Sequence, residues 1–194
     1  MNLAKAFLIT AVVAALGVSV LSVYVSLSTA TAATVQTKLL TYENPDFHFK
    51  IQYPANWTKQ EAGLPSHGIV VFYSGNTSSS AQFQVAVFPL SSHNETSDSL
   101  AMGMRDNPDS NINYLNASVG IPLAGTRASQ VLYYMFIQPQ LFSFSSKSSN
   151  MKILETFLVK GNTEYALLYG IDPPYFQKYL PLARAMINSF KFTK

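Results

Sequence analysis

The chain has 194 residues, of which 48% are hydrophobic, 13% are aromatic and only 12% are charged. The low charge and the many aromatic residues exclude a disordered charged tail. The absence of cysteine excludes disulfides, thiol catalysis and cysteine-ligated zinc or iron–sulfur sites. The length allows one domain with a short appendage.

Twenty consecutive residues near the N-terminus, Ala6 to Val25, carry no charged side chain. A helix of that length spans about 30 Å, which is the thickness of a bilayer's hydrocarbon core. We therefore expect residues 1–29 to form an uncleaved signal anchor, followed by a tether at residues 30–37 and one domain at residues 38–194. The alternative is a cleaved signal peptide, because small residues near Ala33 suit a signal peptidase.

The distribution of basic residues predicts the topology. Lys5 is the only lysine or arginine before Lys38, so the positive-inside rule leaves the N-terminus in the cytoplasm. We expect a single-pass cell-membrane protein with its C-terminal domain outside the cytoplasm, or a secreted protein if the peptide is cleaved. Four N-x-Ser/Thr acceptors for glycosylation agree with export, although a chain rich in Ser, Thr and Asn forms such triplets by chance; they are Asn56, Asn76, Asn94 and Asn116.

Nucleic acid is not an expected partner. The formal net charge is only +3, and the basic residues are scattered along the chain. A phosphate-binding surface needs a cluster of them.

The rest of the chain shows the periodicity of strands. Apolar and polar residues alternate from Asp46 to Tyr53, which predicts a half-buried antiparallel strand that ends at Pro54. Short turns between the later strands favour an antiparallel meander. These strands are predicted at residues 68–73, 82–90, 114–119, 128–138, 152–159 and 164–171.

Two helices complete the prediction. Thr96 or Ser97 is expected to cap a short helix that ends at Arg105. A longer C-terminal helix over residues 176–190 has apolar residues at three- and four-residue steps, with Asp172 as its expected N-cap. Pro181 predicts a kink or a restart in it. The fold class is therefore α+β, with a helix packed on at least one face of the sheet.

Four segments in this order resemble the PsbP-like domains, which share a fold with the Mog1 nuclear-transport regulators. They are Phe47–Trp57 (FHFKIQYPANW), Ile121–Ala128 (IPLAGTRA), Gly161–Tyr169 (GNTEYALLY) and Phe176–Phe192, which ends in MINSFKF. The resemblance spans residues 38–193 and implies an α/β/α sandwich around a central antiparallel sheet of about six strands.

The same resemblance implies little chemistry. Photosynthetic members of the family are extrinsic subunits that help an oxygen-evolving assembly to retain its ions, and other members are assembly factors. This chain has the predicted anchor and no recognisable transit peptide for the thylakoid lumen, so a prokaryotic surface protein, archaeal ones included, fits better than a photosystem subunit.

No sequence motif predicts catalysis or a cofactor. The chain lacks a G-x-S-x-G elbow, a glycine-rich phosphate loop and an H-E-x-x-H motif. Two weak candidate metal pairs are Asp46 with His48, on the outer face of the first strand, and His93 with Asp98, before the first helix; a solvated polar surface is the alternative for both. Asp109–Asn113 begins like a calcium loop but lacks the later glycine and glutamate.

Aromatic residues suggest the strongest functional lead. Val131–Ile137 (VLYYMFI) is more hydrophobic than one buried sheet face requires. Either helices cover this strand on both faces, or an exposed patch docks a partner; the patch would contain Tyr133, Tyr134, Phe136 and Phe142. Trp57 is expected to close one end of the core, with a ligand platform as the alternative.

We therefore expect a membrane-anchored, non-catalytic binding or assembly module for an envelope protein complex. The first rival is a surface protein that binds a metal or a small ligand. An undetected hydrolase is the second.

Overall fold

Ten strands and two α-helices make up most of residues 38–64, 67–75, 80–106, 109–137 and 149–194, which are the residues that the computed structural model describes. The fold class is α+β, as the sequence predicts. The expected anchor or signal peptide and the tether lie outside the described residues. Within the described part of the chain, no helix is long and apolar enough to cross a membrane.

The elements follow one another with short connections. The helices are α1 (Ser97–Asp106) and α2 (Phe176–Ser189), and a 3₁₀ turn (Pro173–Tyr175) precedes α2. The strands are β1 (Leu39–Asn44), β2 (Phe49–Pro54), β3 (Thr58–Leu64), β4 (His67–Tyr73), β5 (Gln82–Pro89), β6 (Ile112–Leu123), β7 (Thr126–Ile137), β8 (Ser149–Lys160), β9 (Thr163–Ile171) and β10 (Lys191–Phe192).

The strands form a large and a small sheet. The large sheet has seven strands in the order β3-β4-β5-β9-β8-β7-β6, and the small one has three in the order β1-β2-β10. All of these pairs are antiparallel. The central antiparallel sheet is thus confirmed with seven strands where about six were expected, and the small sheet was not expected. Strands β1, β3 and β10 were not predicted, because they are short or largely polar and lack a clear alternation of apolar and polar residues.

One face of the large sheet, called the α2 face, packs against α2 and the small sheet. Trp57 is buried in this layer, so its predicted position at the core is confirmed. The layer joins side chains of the large sheet, the small sheet and the helix, among them Phe83, Val85, Leu167, Phe49, Ile51, Met186 and Ile187.

The opposite face, called the α1 face, packs against α1. Ala101 and Met104 of the helix are buried there with residues of five strands, including Val71, Phe88, Val131, Phe157 and Leu168. The predicted helix is confirmed, and Thr96 caps it, since its Oγ1 accepts a hydrogen bond from the Ser99 N–H at 3.1 Å. One helix thus packs on part of each face of the large sheet.

The first predicted strand begins later than its alternation suggests. Residues 45–48 form a turn, and β2 starts at Phe49. The Asn44 Oδ1 accepts a hydrogen bond from the Phe47 N–H at 3.0 Å, and His48 has a φ of 50°. An extended strand does not include such a left-handed residue. Asp46 and His48 therefore do not share the outer face of a strand, as the alternation predicted.

The C-terminal helix differs from its prediction at both prolines. Asp172 makes no capping hydrogen bond with its side chain; the 3₁₀ turn leads into α2 instead. The helix continues through Pro181 to Ser189, so the predicted restart is wrong. The exposed surface around Pro181 explains this tolerance, because water can satisfy the freed carbonyl of Gln177.

We predict that Gly68→Ala destabilises the protein by ~1–3 kcal/mol, because the new methyl group overpacks the layer. A Cβ at Gly68 would lie 2.4 Å from Cδ2 and Cε2 of the Phe47 ring. Urea unfolding of the native chain and the variant measures this decrease in the free energy of unfolding.

The control for this experiment is Gly103→Ala in α1, where nothing lies within 4 Å of an added Cβ. This change should stabilise the helix by roughly 0.5–1 kcal/mol. If Gly68→Ala costs as much in a Phe47→Ala background as in the native chain, the clash with the ring is not the cause.

Candidate functional site

A shallow depression of ≈ 220 Å³ lies where β6 and β8 begin and β7 ends. The strand register places Asn113 beside Tyr134 and Phe136 beside Asn150. We call this site the aromatic depression; it is lined by Ser110, Asn111, Ile112, Asn113, Tyr134, Phe136 and Asn150.

The depression belongs to the part of the α2 face that α2 does not cover. Helix α2 packs on β2 and β9, whereas α1 packs on β6, β7 and β8 from the other side. Tyr134 and Phe136 point away from α1, because side chains alternate along a strand and Tyr133 packs on α1's side. Within the described part of the chain, neither helix therefore covers the α2 face at this end of the sheet.

The two aromatic rings of the depression differ in their contacts. The Lys152 Nζ lies 5.5 Å from the centre of the Tyr134 ring and 5.0 Å from that of Phe176. This cation–π arrangement holds the half-buried Tyr134 in place. Phe136 is 43% exposed and has no ring or cation partner among the described residues. Its ring is therefore free to receive one.

The polar wall of the depression is fixed by its own hydrogen bonds. The Asp109 carboxylate accepts from the Asn111 N–H at 3.1 Å, and the Phe136 N–H donates to the Asn111 carbonyl at 2.8 Å. The Ile112 N–H donates to the Asp109 carbonyl, also at 2.8 Å. The segment that resembles the start of a calcium loop is thus a turn whose carboxylate is engaged by its own donors.

The structure divides the predicted partner patch. Tyr133 is 1% exposed and packs under α1, so its prediction as a partner-surface residue is wrong. Tyr134 is half-buried and Phe136 exposed, both in the aromatic depression. Phe142 lies outside the described residues. Strand β7 is covered on both faces in its first half, at Ala128 and Val131, and only at its end does one face open.

A buried carboxyl, which the sequence analysis missed, lies under α1. Glu155 is 2% exposed, and its Oε2 accepts a hydrogen bond from the Tyr133 hydroxyl at 2.8 Å. Burial raises the pKa of Glu155 from 4.5 to about 8; the Tyr133 hydrogen bond opposes this rise and the charge of Glu164 adds to it. The only signal in the sequence is a single acid within the otherwise apolar stretch of β8.

The first candidate metal pair lies in an exposed turn. Asp46 and His48 are both solvent-exposed between β1 and β2. In the described part of the chain, no three His, Asp or Glu side chains cluster closely enough to hold a metal ion. Metal binding by this pair remains a prediction.

The second candidate pair is separated by other contacts. Asp98 lies in the first turn of α1, where its carboxylate accepts hydrogen bonds from the Ser129 hydroxyl and from the Arg127 guanidinium, with Arg127 Nη2 at 2.8 Å. These two donors, Ser129 first, lower the pKa of Asp98. His93 is exposed in the preceding turn and makes no hydrogen bond to Asp98. Asp98 therefore fastens α1 to β7.

The glycosylation candidates are accessible wherever the structure describes them. Asn56, Asn94 and Asn116 are exposed, and Asn76 lies outside the described residues. Asn116 lies on edge strand β6, next to Leu132 of β7.

We predict that Glu155 makes stability fall as pH rises. The unfolded carboxyl loses its proton near pH 4.5, whereas the folded one keeps it to about pH 8. Between these values the folded state binds more protons, so this group lowers the free energy of unfolding by at most ~1.4 kcal/mol per pH unit. Urea unfolding across this range should show the decline, and its contribution should level off above pH 8.

The matched variants are Glu155→Gln and Glu43→Gln. The buried amide still accepts from the Tyr133 hydroxyl but does not ionise, so this variant should lose the decline. Glu43 is exposed on β1, and its replacement should leave the decline intact. Parallel profiles for the native chain and Glu155→Gln would contradict the assignment.

Solved structures share this architecture. The solution structure of cyanobacterial PsbP (CyanoP) from Synechocystis sp. PCC 6803 aligns with a TM-score of 0.56 at 12% identity, covering 84% of this chain and 98% of that one. The Ran-binding protein Mog1p of Saccharomyces cerevisiae aligns with a TM-score of 0.50 at 9% identity, covering 82% and 97%. A protein from Bacteroides thetaiotaomicron VPI-5482 aligns with a TM-score of 0.51 at 14% identity, covering 79% and 48%.

The comparisons of sequence found no match, in contrast to the comparison of structures. No protein-family model matches the chain, and no curated protein sequence matches it either. At these identities the likeness concerns the fold alone. The protein has the fold shared by PsbP and Mog1, as its four sequence segments predicted.

Proposed function

We propose that this protein is a membrane-anchored, extracytoplasmic binding module that acts without catalysis and docks an envelope partner through the aromatic depression. The observation that carries the proposal is Phe136, a large apolar side chain 43% exposed beside Tyr134, over whose ring Lys152 packs. Aromatic anchors of this kind contribute most of the binding energy at many interfaces.

Contacts within the protein already hold several groups of the depression in position. Its polar wall is held by the Asp109 carboxylate and by the Phe136 N–H, and Tyr134 is held by Lys152. A rigid site loses little conformational entropy on association. Docking therefore needs no rearrangement of the described strands.

The fold supports a protein partner. Mog1p is described as a Ran-binding protein, and it shares this fold. The sequence offers no constellation of nucleophile, base and oxyanion donors. The chain does present an exposed aromatic side chain, Phe136, near the end of β7, and such a side chain suits a binding role.

The expected anchor defines where the partner lies. The tether of residues 30–37 spans at most about 28 Å when fully extended. The domain begins at Lys38, directly before β1. If residues 1–29 stay in the bilayer, the domain begins within about 28 Å of the membrane surface, so its partner is expected at the same membrane.

We predict a discrete crosslink from the depression in native membranes. A photoreactive amino acid at Asn113 of the full-length chain should capture one envelope protein. Phe136→Ala should reduce that adduct about tenfold, because it removes the apolar anchor.

The matched control is Val119→Ala, which removes an exposed apolar side chain of β6 outside the depression; Val119 is 48% exposed. This variant should leave the adduct unchanged. An adduct equally strong in both variants, or no discrete adduct, would refute docking of a protein at this site.

A further inference from the structure

We propose that the aromatic depression binds a neutral oligosaccharide, so that the envelope partner is recognised through a sugar. This inference rests on the proposed function only for the place of docking. The chemistry of the ligand follows from the lining of the depression itself.

None of the seven lining residues carries a charge, and the adjacent Asp109 carboxylate already accepts from the Asn111 N–H. The side chains of the lining residues are three amides, one aliphatic hydroxyl, one phenol, one phenylalanine and one isoleucine, of which the isoleucine packs towards the α1 face. An ionic ligand would lose its hydration without gaining an opposite charge in the lining. Lys152, the nearby cation, has its ammonium held between the rings of Tyr134 and Phe176. The site therefore favours a neutral ligand.

The hydrogen-bonding groups of the site match hydroxyl groups. Each amide side chain offers two donors and one acceptor, and a sugar hydroxyl both donates and accepts. Asn113 and Asn150 are exposed, and neither side chain has a hydrogen bond to another described residue. Their amides are thus available for vicinal hydroxyls.

The apolar part of the site matches the C–H face of a sugar ring. Phe136 presents an exposed ring without a partner in the described structure, and Tyr134 stands next to it on the same face of β7. Weak C–H contacts to an aromatic face supplement the burial of apolar area. A ligand with one apolar face and a rim of hydroxyls satisfies both halves of the lining.

The size and shape of the site favour one ring of a longer chain. Its ≈ 220 Å³ is smaller than the roughly 300–1,000 Å³ of sites for drug-sized ligands. Polar side chains continue along the same face, with Asn116 beside Leu132 and Ser118 beside Gln130. From Asn113 to Ser118 this path measures about 16 Å at ~3.3 Å per residue, which exceeds a single ring. An extended oligosaccharide fits this path.

The test is calorimetric titration of the full-length chain in detergent micelles with neutral hexasaccharides of glucose, mannose, galactose and N-acetylglucosamine. The protein is produced in a host without N-glycosylation, so that its own Asn116 stays unmodified. We expect at least one series to bind with a Kd of about 1 mM or tighter. Phe136→Ala should weaken binding about tenfold and Asn113→Ala several-fold, whereas Val119→Ala should not change it.

Thermal unfolding shows whether each variant remains folded. Binding of no hexasaccharide at about 10 mM, or equal binding by folded Phe136→Ala, overturns the sugar proposal. If the Asn113 crosslink to a protein nevertheless persists and depends on Phe136, the proposed docking function survives that failure. If sugars bind and no crosslink forms, the docking of a protein fails and the sugar site stands.

The source of the sugar is resolved by glycosidase treatment of the native membranes before crosslinking. Loss of the adduct shows that the partner carries the sugar. An unchanged adduct, in membranes whose glycans are verifiably removed, shows that the partner docks without a sugar and overturns the recognition step.

Discussion

Seven strands spaced about 4.8 Å apart make a sheet about 30 Å wide, whereas one helix with its side chains covers about 10 Å. The two described helices therefore cannot shield both faces of the large sheet. The small sheet adds cover beside α2, over the half of the α2 face that contains β5 and β9. Helix α1 covers β6, β7 and β8 from the other side. Among the described residues, the α2 face stays uncovered at the start of β6 and the end of β7, and the aromatic depression lies there.

Two adjacent tyrosines show the consequence. Tyr133 points towards α1, where burial requires a partner for its hydroxyl, and Glu155 supplies it at 2.8 Å. Tyr134 points to the open face, where Lys152 packs over its ring. On one side, β7 thus contributes a buried tyrosine that is hydrogen-bonded to Glu155. On the other side, it contributes the aromatic side chains of the depression. The pleat of a single strand thus separates a buried side chain from one on the open face.

Much of the fold follows from local patterns. Strands β4, β5, β7, β8 and β9 and both helices lie within a few residues of their predictions, because their periodicity agrees with the side chains that become buried. The predicted strand is wrong at Asp46 and His48. The alternation of apolar and polar residues continues there through a turn, which a hydrogen bond to the Asn44 side chain closes. Prediction also fails for Glu155, since nothing local shows that a glutamate will be covered by a helix from elsewhere in the chain.

By itself, the sequence determined seven of the ten described strands and both helices, the order of the four family-like segments, and that β7 is too apolar for a strand with only one buried face. Only the tertiary structure decided that Tyr133 is buried while Tyr134 and Phe136 reach the surface. The physical reason is that exposure depends on which helix covers which strand. That cover is a long-range property: α1 and α2 come from distant parts of the chain, and their widths, not the pattern of β7, set where the sheet stays open.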